Sequence, residues 1–355
     1  MKLGAYLIII FTFAAGAAGT AAQSGRIKPT ETPTPRPITH PTIIYIPTQA
    51  TPRGSGATPR PTPPIDDGDV VRVPSTLVPI PVSVVDSNGR AVTNLSLSDF
   101  ELKIDGKLVE LSELSRSESP IRLAMLFDNS SSVLIAREFE TQAAIKFLRR
   151  VIRPEKDLAA LFSVATVTKL EQPFTREVSS LTRSIEMFPP PEGATALLEG
   201  MMMAADYLFE VQGRRVMVIV SDGDDTKSDA TLEDTVRALQ TSGCQVFIVK
   251  TTDFENYKRT GSRRGSANTR QLIAERRMSE IALQTGGAVY SPIDERELDE
   301  AFRQISAELS QQYILSYYPE NDAEKRGEFR EITLTLKNRP GFSLRTRKGY
   351  FVPKR

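Results

Sequence analysis

A carboxylate and a run of hydroxyl groups follow an apolar stretch of this chain at residues 121–127. Residues 121–127 are mostly apolar and lead directly into Asp-Asn-Ser-Ser-Ser, in which Asp128, Ser130 and Ser132 stand at two-residue spacing. An apolar run of this length is typical of a β-strand buried on both faces. Carboxylate and hydroxyl oxygens are the ligands that a hard cation such as Mg²⁺ prefers. The spacing therefore indicates a candidate cation site at the carboxyl end of a buried strand.

Two further segments place oxygen donors after or beside apolar elements. The apolar run 215–220 ends in a Ser-Asp-Gly turn that contains Asp222, and Thr195 stands at the mouth of an apolar helix. In an open α/β sheet the loops that leave the carboxyl edge of the strands converge on one place. We therefore expect Asp128, Thr195 and Asp222 to lie together.

This combination resembles the von Willebrand factor type A domain and its metal-ion-dependent adhesion site. In that family an Asp-x-Ser-x-Ser loop, a separate Thr and a separate Asp surround a divalent cation, and the resemblance covers residues 120–312. Two departures are Ser131, where the family usually has Gly, and Val133, where it often has Met. Neither departure removes a ligand. The resemblance assigns the role of metal ligand to Asp128, Ser130, Ser132, Thr195 and Asp222.

The resemblance also implies what the site binds. The ion is expected to be Mg²⁺, with Mn²⁺ or Ca²⁺ as alternatives, and Asp222 is expected to act from farther out through water. Because Asp128 supplies the main direct negative charge, the cation stays under-neutralised and attracts another anion. In the family this anion is an Asp or Glu side chain of a partner protein. We therefore expect a cation-dependent protein-binding module with an adhesion or scaffold role, and not an enzyme.

Helix capping and phosphoryl transfer are the alternatives to a cation-binding role for these residues. Ser132 and Thr195 stand where helix N-caps would stand, but capping does not explain why several such loops meet at one edge. The second alternative is a Mg²⁺-dependent phosphatase of the haloacid-dehalogenase type with Asp128 as nucleophile. That chemistry needs a general acid two residues after the nucleophile, and Ser130 occupies that position, which disfavours this reaction.

The composition excludes several other classes of site. The 355 residues include one His and one Cys, and the net charge is +1. A single Cys excludes an intrachain disulfide, and a single His excludes multi-His zinc sites and argues against a His-based catalytic triad. The near-neutral charge gives no reason to expect a nucleic-acid partner. We expect Cys244 to be a small buried hydrophobe.

The amino-terminal part of the chain predicts export. Residues 1–22 have the charged start, apolar centre and small-residue end of a secretory signal peptide. An uncleaved membrane anchor is the alternative, because residues 3–22 are just long enough to span a bilayer. Residues 23–69 are rich in Pro and Thr and predict an extended linker. We expect the mature protein to be secreted or in the periplasm or cell envelope, with no membrane span after cleavage.

The rest of the chain divides into a central domain and two β flanks. Strand and helix patterns alternate through residues 120–312, which predicts an α/β fold with a doubly wound, mainly parallel sheet. Residues 70–119 and 313–355 have β character, and each is too short to bury a core unaided. Since the ends of a doubly wound domain lie close together, we expect the flanks to share a sheet, with Phe100 or Leu102 contacting the C-terminal strands.

A polar insertion spans residues 253–268, after the apolar strand pattern 245–250. This strand ends at the edge that bears the candidate ligands, so the insertion is expected beside the metal. One prediction is a solvated loop. The other is a basic rim that steers an acidic partner towards the ion. The bases of this insertion are Lys258, Arg259, Arg263 and Arg264.

Overall fold

The computed structural model of this chain describes residues 77–87, 90–116, 119–131, 136–263, 268–319, 325–337 and 339–353. The signal-like residues 1–22 and the Pro/Thr-rich residues 23–69 lie outside these ranges. In the described ranges no helix combines the length and the apolar character needed to cross a membrane. Four strands precede the central domain: β1 (Val78–Val85), β2 (Phe100–Ile104), β3 (Lys107–Val109) and β4 (Glu113–Arg116).

Strands and helices then alternate as predicted through the central domain, and four more strands follow it. The central elements are β5 (Ile121–Asp128), α1 (Arg137–Val151), β6 (Leu158–Val164), β7 (Lys169–Thr175), α2 (Val178–Glu186), α3 (Leu197–Phe209), β8 (Arg214–Ser221), α4 (Leu232–Ser242), β9 (Gln245–Lys250), α5 (Thr252–Thr260), α6 (Thr269–Thr285), β10 (Ala288–Tyr290) and α7 (Glu295–Gln311). The C-terminal strands are β11 (Tyr313–Tyr317), β12 (Phe329–Leu336), β13 (Ser343–Thr346) and β14 (Gly349–Phe351).

The central sheet has the strand order β10-β9-β8-β5-β6-β7. All neighbours are parallel except β7, which runs antiparallel to β6 at one edge. The chain leaves β5 towards β6 on one side and later returns to β8 on the other side. Ligands of open α/β sheets bind at such a reversal of strand order, outside the carboxyl ends of the strands. The predicted doubly wound fold is confirmed, and the end of β5 lies at this reversal point.

The central sheet is covered on both faces because its strands are apolar on both sides. Leu123, Met125 and Phe127 of β5 pack under α1, α2 and α7. Ala124 and Leu126 point the other way and pack under α3, α4 and α6. Fully burying a large apolar side chain contributes about 1.5–3 kcal/mol, so this central strand is held firmly. The residues at its carboxyl end are positioned by a rigid support.

A buried carboxylate fixes the opposite edge of the sheet. Asp157 lies just before β6, and its side chain has 0% exposure. Its Oδ1 accepts a hydrogen bond from Ile121 N at 2.8 Å, and its Oδ2 accepts from Arg153 Nε at 2.7 Å. Asp157 therefore joins the start of β5 to the turn that leads into β6.

The two flanks form a pair of four-stranded sheets with a shared core. The strand orders are β13-β1-β11-β4 and β14-β12-β2-β3, so each sheet contains strands from both ends of the chain. Phe100 pairs with Leu336 and Leu102 with Leu334, which are contacts of the kind expected from the sequence. Tyr313, Leu102 and other apolar side chains of both sheets form one buried cluster. Each flank therefore supplies strands and core side chains that the other flank needs to form its sheets.

Candidate metal site

Asp128 is the last residue of β5 and is 1% exposed. Its Oδ1 accepts a hydrogen bond from Ser130 N at 2.9 Å. Its Oδ2 accepts one from Ser221 Oγ at 2.6 Å, across the boundary between β5 and β8. Both oxygens of this carboxylate are therefore oriented by neutral donors, and Ser130 is itself buried at 2% exposure.

The charge of Asp128 is poorly compensated by its surroundings. Burial, followed by the negative charge of Asp222, raises its pKa to about 6, although the hydrogen bonds from Ser130 and Ser221 oppose this rise. A buried carboxylate with a raised pKa is in a place that disfavours its charged form. A divalent cation at this position would relieve the repulsion between the two aspartates.

Thr195 lies just before α3, and hydrogen bonds tie its loop to the loop after β8. Its backbone N donates to Thr226 Oγ1 at 3.0 Å, and its carbonyl oxygen accepts from Thr226 N at 2.9 Å. A second set of bonds ties the same segment to the Asp128 loop. Ser131 N donates to Gly193 O at 3.3 Å, and Glu192 N donates to Asn129 O at 2.9 Å.

The loop between α2 and α3, which carries Thr195, needs a glycine at position 193. Its φ is +78°, and a Cβ built there would lie 2.6 Å from Thr166 Oγ1. A side chain would meet both backbone strain and a close contact. The loop that carries Thr195 therefore depends on this glycine to reach the Asp128 loop.

Asp222 follows β8 and forms a tight turn with the residues after it. Its Oδ1 accepts a hydrogen bond from Asp224 N at 2.9 Å, and its carbonyl oxygen accepts from Thr252 Oγ1 at 3.0 Å. Thr252 is the first residue of α5, so the helix that follows β9 contacts the candidate site directly.

The structure brings together four of the five predicted ligands. Asp128, Ser130, Thr195 and Asp222 lie on three loops that are joined by hydrogen bonds, and Ser132 lies outside the described residues. In the described part of the chain, no group of three or more His, Cys, Asp or Glu residues is arranged to hold a metal ion. The candidate site instead combines carboxylates with hydroxyl oxygens.

Three polar residues near the site were not predicted. Ser221 orients Asp128, while Glu255 of α5 and Glu140 of α1 add carboxylates beside it. Burial, followed by the charge of Asp222, raises the pKa of Glu255 to about 8. Burial, followed by the charge of Glu255, raises the pKa of Glu140 well above its ordinary value. The signal for Glu140 was available, because it stands one helical turn before Ala144 on the buried face of α1.

The prediction of a solvated loop after β9 is wrong for its first half, which forms helix α5. Phe254 is fully buried and packs against Phe139 with ring centroids 5.7 Å apart. The helix ends at Gly261, whose φ of +68° suits a left-handed cap. Acidic residues in the first turn and basic residues in the last turn interact favourably with the helix dipole and stabilise the helix. Tertiary burial of one aromatic ring therefore turns a polar segment into a helix.

The basic side chains of this insertion do not all lie at the carboxyl edge of the central sheet, where the candidate ligands are. Lys258 forms an ion pair with Glu295, and Arg263 pairs with Asp294 and Glu297 at the start of α7. Arg264 lies outside the described residues. Arg259 lines a cleft of about 420 Å³ that reaches Asp222 and Glu255, and residues of α6 line it too.

The fold agrees with that of a known family. Residues 123–304 match the von Willebrand factor type A domain, which is about half of the chain. The chain belongs to this family. No curated protein matches it.

Solved structures with a similar fold come from bacterial surface proteins and an aerotolerance-related protein. The PilB minor pilin from Streptococcus sanguinis is 12% identical with a TM-score of 0.42, covering 54% of this chain and 62% of PilB. An aerotolerance-related membrane protein from Bacteroides fragilis is 20% identical with a TM-score of 0.40, over 53% of this chain and 98% of that one. The pilus adhesin SpaC from Lactobacillus rhamnosus GG is 8% identical with a TM-score of 0.43, and the match covers 72% of this chain and 48% of SpaC. The chain thus spans less than two thirds of PilB, and these likenesses concern the fold alone.

Proposed function

We propose that this protein is a cation-dependent protein-binding module that captures an acidic side chain of a partner protein. A divalent cation, Mg²⁺ with Mn²⁺ or Ca²⁺ as alternatives, would be held at the carboxyl edge of the central sheet. The observation that carries the proposal is the buried Asp128 carboxylate, oriented by Ser130 and Ser221 and placed beside a second carboxylate. The ligands would be Asp128, Ser130, Ser132, Thr195 and Asp222.

The residues present fit a hard cation. Every donor that they offer is an oxygen, and the hydroxyls of Ser130 and Thr195 are neutral. Asp222 turns one carboxylate oxygen towards its own loop, where it accepts from Asp224 N, which suits a role through water. The bound ion would supply an open coordination position with uncompensated positive charge. An Asp or Glu side chain of the partner is the anion that such a position attracts.

We place no catalytic step at this site, and we locate the protein outside the cytoplasm. The phosphatase alternative fails on chemical grounds, because the hydroxyl of Ser130 cannot act as a general acid near neutral pH. The signal-like composition of residues 1–22 supports a location in the periplasm, in the envelope or outside the cell.

Calorimetric titration of the full chain with Mg²⁺ tests the ion. We expect Asp128→Ala to lower the Mg²⁺ affinity by roughly 100-fold or more, because removal of mere supporting groups typically costs roughly 10–100-fold. The matched control is Asp206→Ala, an exposed aspartate on α3, which should bind Mg²⁺ like the wild type. Equal affinities for Asp128→Ala and the wild type would contradict the proposal.

A pull-down from envelope and culture fractions tests the partner. A protein retained in Mg²⁺ should be released by chelator and should not be retained by Asp128→Ala, while Asp206→Ala retains it. If the partner is retained equally with chelator and by Asp128→Ala, its binding does not depend on the cation, and the proposal is wrong.

A further inference from the structure

Glu140 is an unusual residue for a helix that packs on a sheet. It lies near the start of α1, is 1% exposed, and neither of its carboxylate oxygens has a hydrogen-bond partner among the described residues. A buried carboxylate is costly unless it is paired, hydrogen-bonded or bound to a metal. Its place in the fold therefore needs an explanation beyond packing.

The nearest positive side chain does not satisfy Glu140. Arg137 stands one turn earlier on α1, and its charge partly offsets that of Glu140. Its guanidinium, however, donates from Nη1 to Asp128 O at 3.2 Å and from Nη2 to Asn129 Oδ1. It also lies 5.0 Å from the ring centroid of Phe188. Arg137 is thus committed to the Asp128 loop and to an aromatic ring.

A second carboxylate, that of Glu255, and the hydroxyl of Thr251 lie near Glu140, and both act on its pKa. Thr251 is fully buried between β9 and α5, and its Oγ1 donates to Glu255 Oε1 at 3.0 Å. A threonine hydroxyl has one proton, so the lone pairs of Thr251 Oγ1 remain available as acceptors or ligands. The strongest charge acting on Glu140 is the negative charge of Glu255. Two carboxylates therefore approach each other around one hydroxyl oxygen.

We propose that Glu140, Glu255 and Thr251 Oγ1 hold a second divalent cation beside the first site. The ligands are hard oxygens, which suit Mg²⁺ or Mn²⁺ with water in the remaining positions. None of the three belongs to the ligand set of the first ion, so this inference goes beyond the proposed function. Each ligand comes from a different part of the fold, α1, the end of β9 and α5, and the ion would join them.

Mn²⁺ binding to the full chain, counted by electron paramagnetic resonance, tests the second site. We expect the wild type to bind two ions and Asp128→Ala to keep one of them. Glu140→Gln should lose one ion, and the double variant should bind none. Glu138→Gln on the same helix is exposed and is the matched control, which should bind both ions.

The outcomes separate the two proposals. A wild type that binds one ion, all of it lost in Asp128→Ala, would overturn the second site and leave the first intact. A second ion that survives Glu140→Gln would also overturn the present assignment. If Asp128→Ala loses no ion while Glu140→Gln does, the first site fails and the second stands.

Thermal unfolding guards against a variant that simply folds poorly. In the Asp128→Ala background, Mn²⁺ should raise Tm, and this rise should disappear when Glu140→Gln is added. Without metal, Glu140→Gln should unfold close to the Tm of its parent, because burial favours the neutral acid and a neutral amide of similar shape replaces it. Glu255→Gln, at a less buried position, should likewise abolish the Mn²⁺-dependent rise. A rise that persists in both glutamine variants would refute the site.

Discussion

Ser221 of β8 orients the carboxylate of Asp128, which ends the neighbouring strand β5. Its side chain is fully buried, and its Oγ lies 2.6 Å from Asp128 Oδ2 and accepts from Gly223 N at 3.0 Å. One hydroxyl therefore orients Asp128 and also accepts a hydrogen bond within the turn after β8.

We expect Ser221→Ala to lower the free energy of unfolding by about 1–3 kcal/mol, because it leaves a buried donor and a buried acceptor without partners. Urea denaturation measures this change, and calorimetry should show weaker Mg²⁺ binding. Ser179→Ala at an exposed position of α2 is the control and should change neither quantity. A Ser221→Ala protein of wild-type stability would mean that another group replaces the hydroxyl.

The position of the candidate ligands at the sheet edge was predictable, and the residues that contact them were not. Asp128 and Asp222 each follow an apolar run, so their place at a sheet edge follows from the order of residues alone. The contact of Ser221 with Asp128 depends on which strands are neighbours, since β5 and β8 are joined by the pairing of Phe127 with Val220. Glu140 and Glu255 meet only because α1 and α5 pack on the same face of the sheet. Such contacts depend on tertiary arrangement, which residue types and spacing do not specify.

At the scale of elements, α5 shows how packing outweighs local preference. Its sequence contains Thr, Asp and Asn, which are weak helix formers, and it is only nine residues long. Burial of Phe254 and the ion pair of Lys258 with Glu295 compensate for this weakness. The predicted basic rim has fewer bases beside the candidate site than expected. Lys258 and Arg263 form ion pairs at the start of α7, and Arg259 lines the cleft beside Asp222.

The turn before β6 gives a prediction about pH. Burial alone would raise the pKa of Asp157, but hydrogen bonds from Arg153 and Ile121 N outweigh it and leave the pKa below 3.8. Because the pKa of Asp157 is lower in the folded than in the unfolded protein, its charge stabilises the fold at pH values above the ordinary pKa of an aspartate. This stabilisation is lost as pH falls through the folded-state pKa.

We therefore expect Asp157→Asn to destabilise the protein by roughly 1.5–3 kcal/mol at pH 7, the range of hydrogen bonds to charged groups. The difference from the wild type should shrink as pH falls below about 4. Denaturant unfolding across this pH range measures it. Asp299→Asn removes an exposed ion pair with Lys146 and should have little effect at any pH. A difference that stays constant down to about pH 2 would exclude the charge of Asp157 as its cause.

At the scale of the whole molecule, the two β flanks cannot be separated. Strand β1 lies between β13 and β11, and β2 pairs with β12. Inside their shared core, Tyr317 and Tyr350 form a buried hydrogen bond of 2.6 Å between their hydroxyl oxygens. Gln312 then joins this part to the central sheet, because its Nε2 donates to Ser83 Oγ at 2.9 Å and to Gln245 Oε1 at 3.1 Å.

We expect a chain that ends at Gln312 to lose amide hydrogen-exchange protection throughout β1 and β2, because it lacks every C-terminal strand that pairs with them. The control is Tyr350→Phe, which removes one hydroxyl and should lower stability by about 1 kcal/mol while protection persists. Hydrogen exchange followed by mass spectrometry compares the two proteins. Protected β1 amides in the shortened chain would show that the N-terminal flank folds without its partner.

The position of β1 has a mechanical consequence. If a partner is held at the proposed metal site, a pull on the residues ahead of Val78 would first act along β1. Its ladders to β11 and β13 are antiparallel, with hydrogen bonds perpendicular to the strand, so tension along the strand loads many bonds in shear at once. From β11 the load passes into α7, which precedes it in the chain, and into β4, which pairs with it and leads into β5 of the central sheet. The paired flanks would therefore serve as a tensile anchor for a site under load.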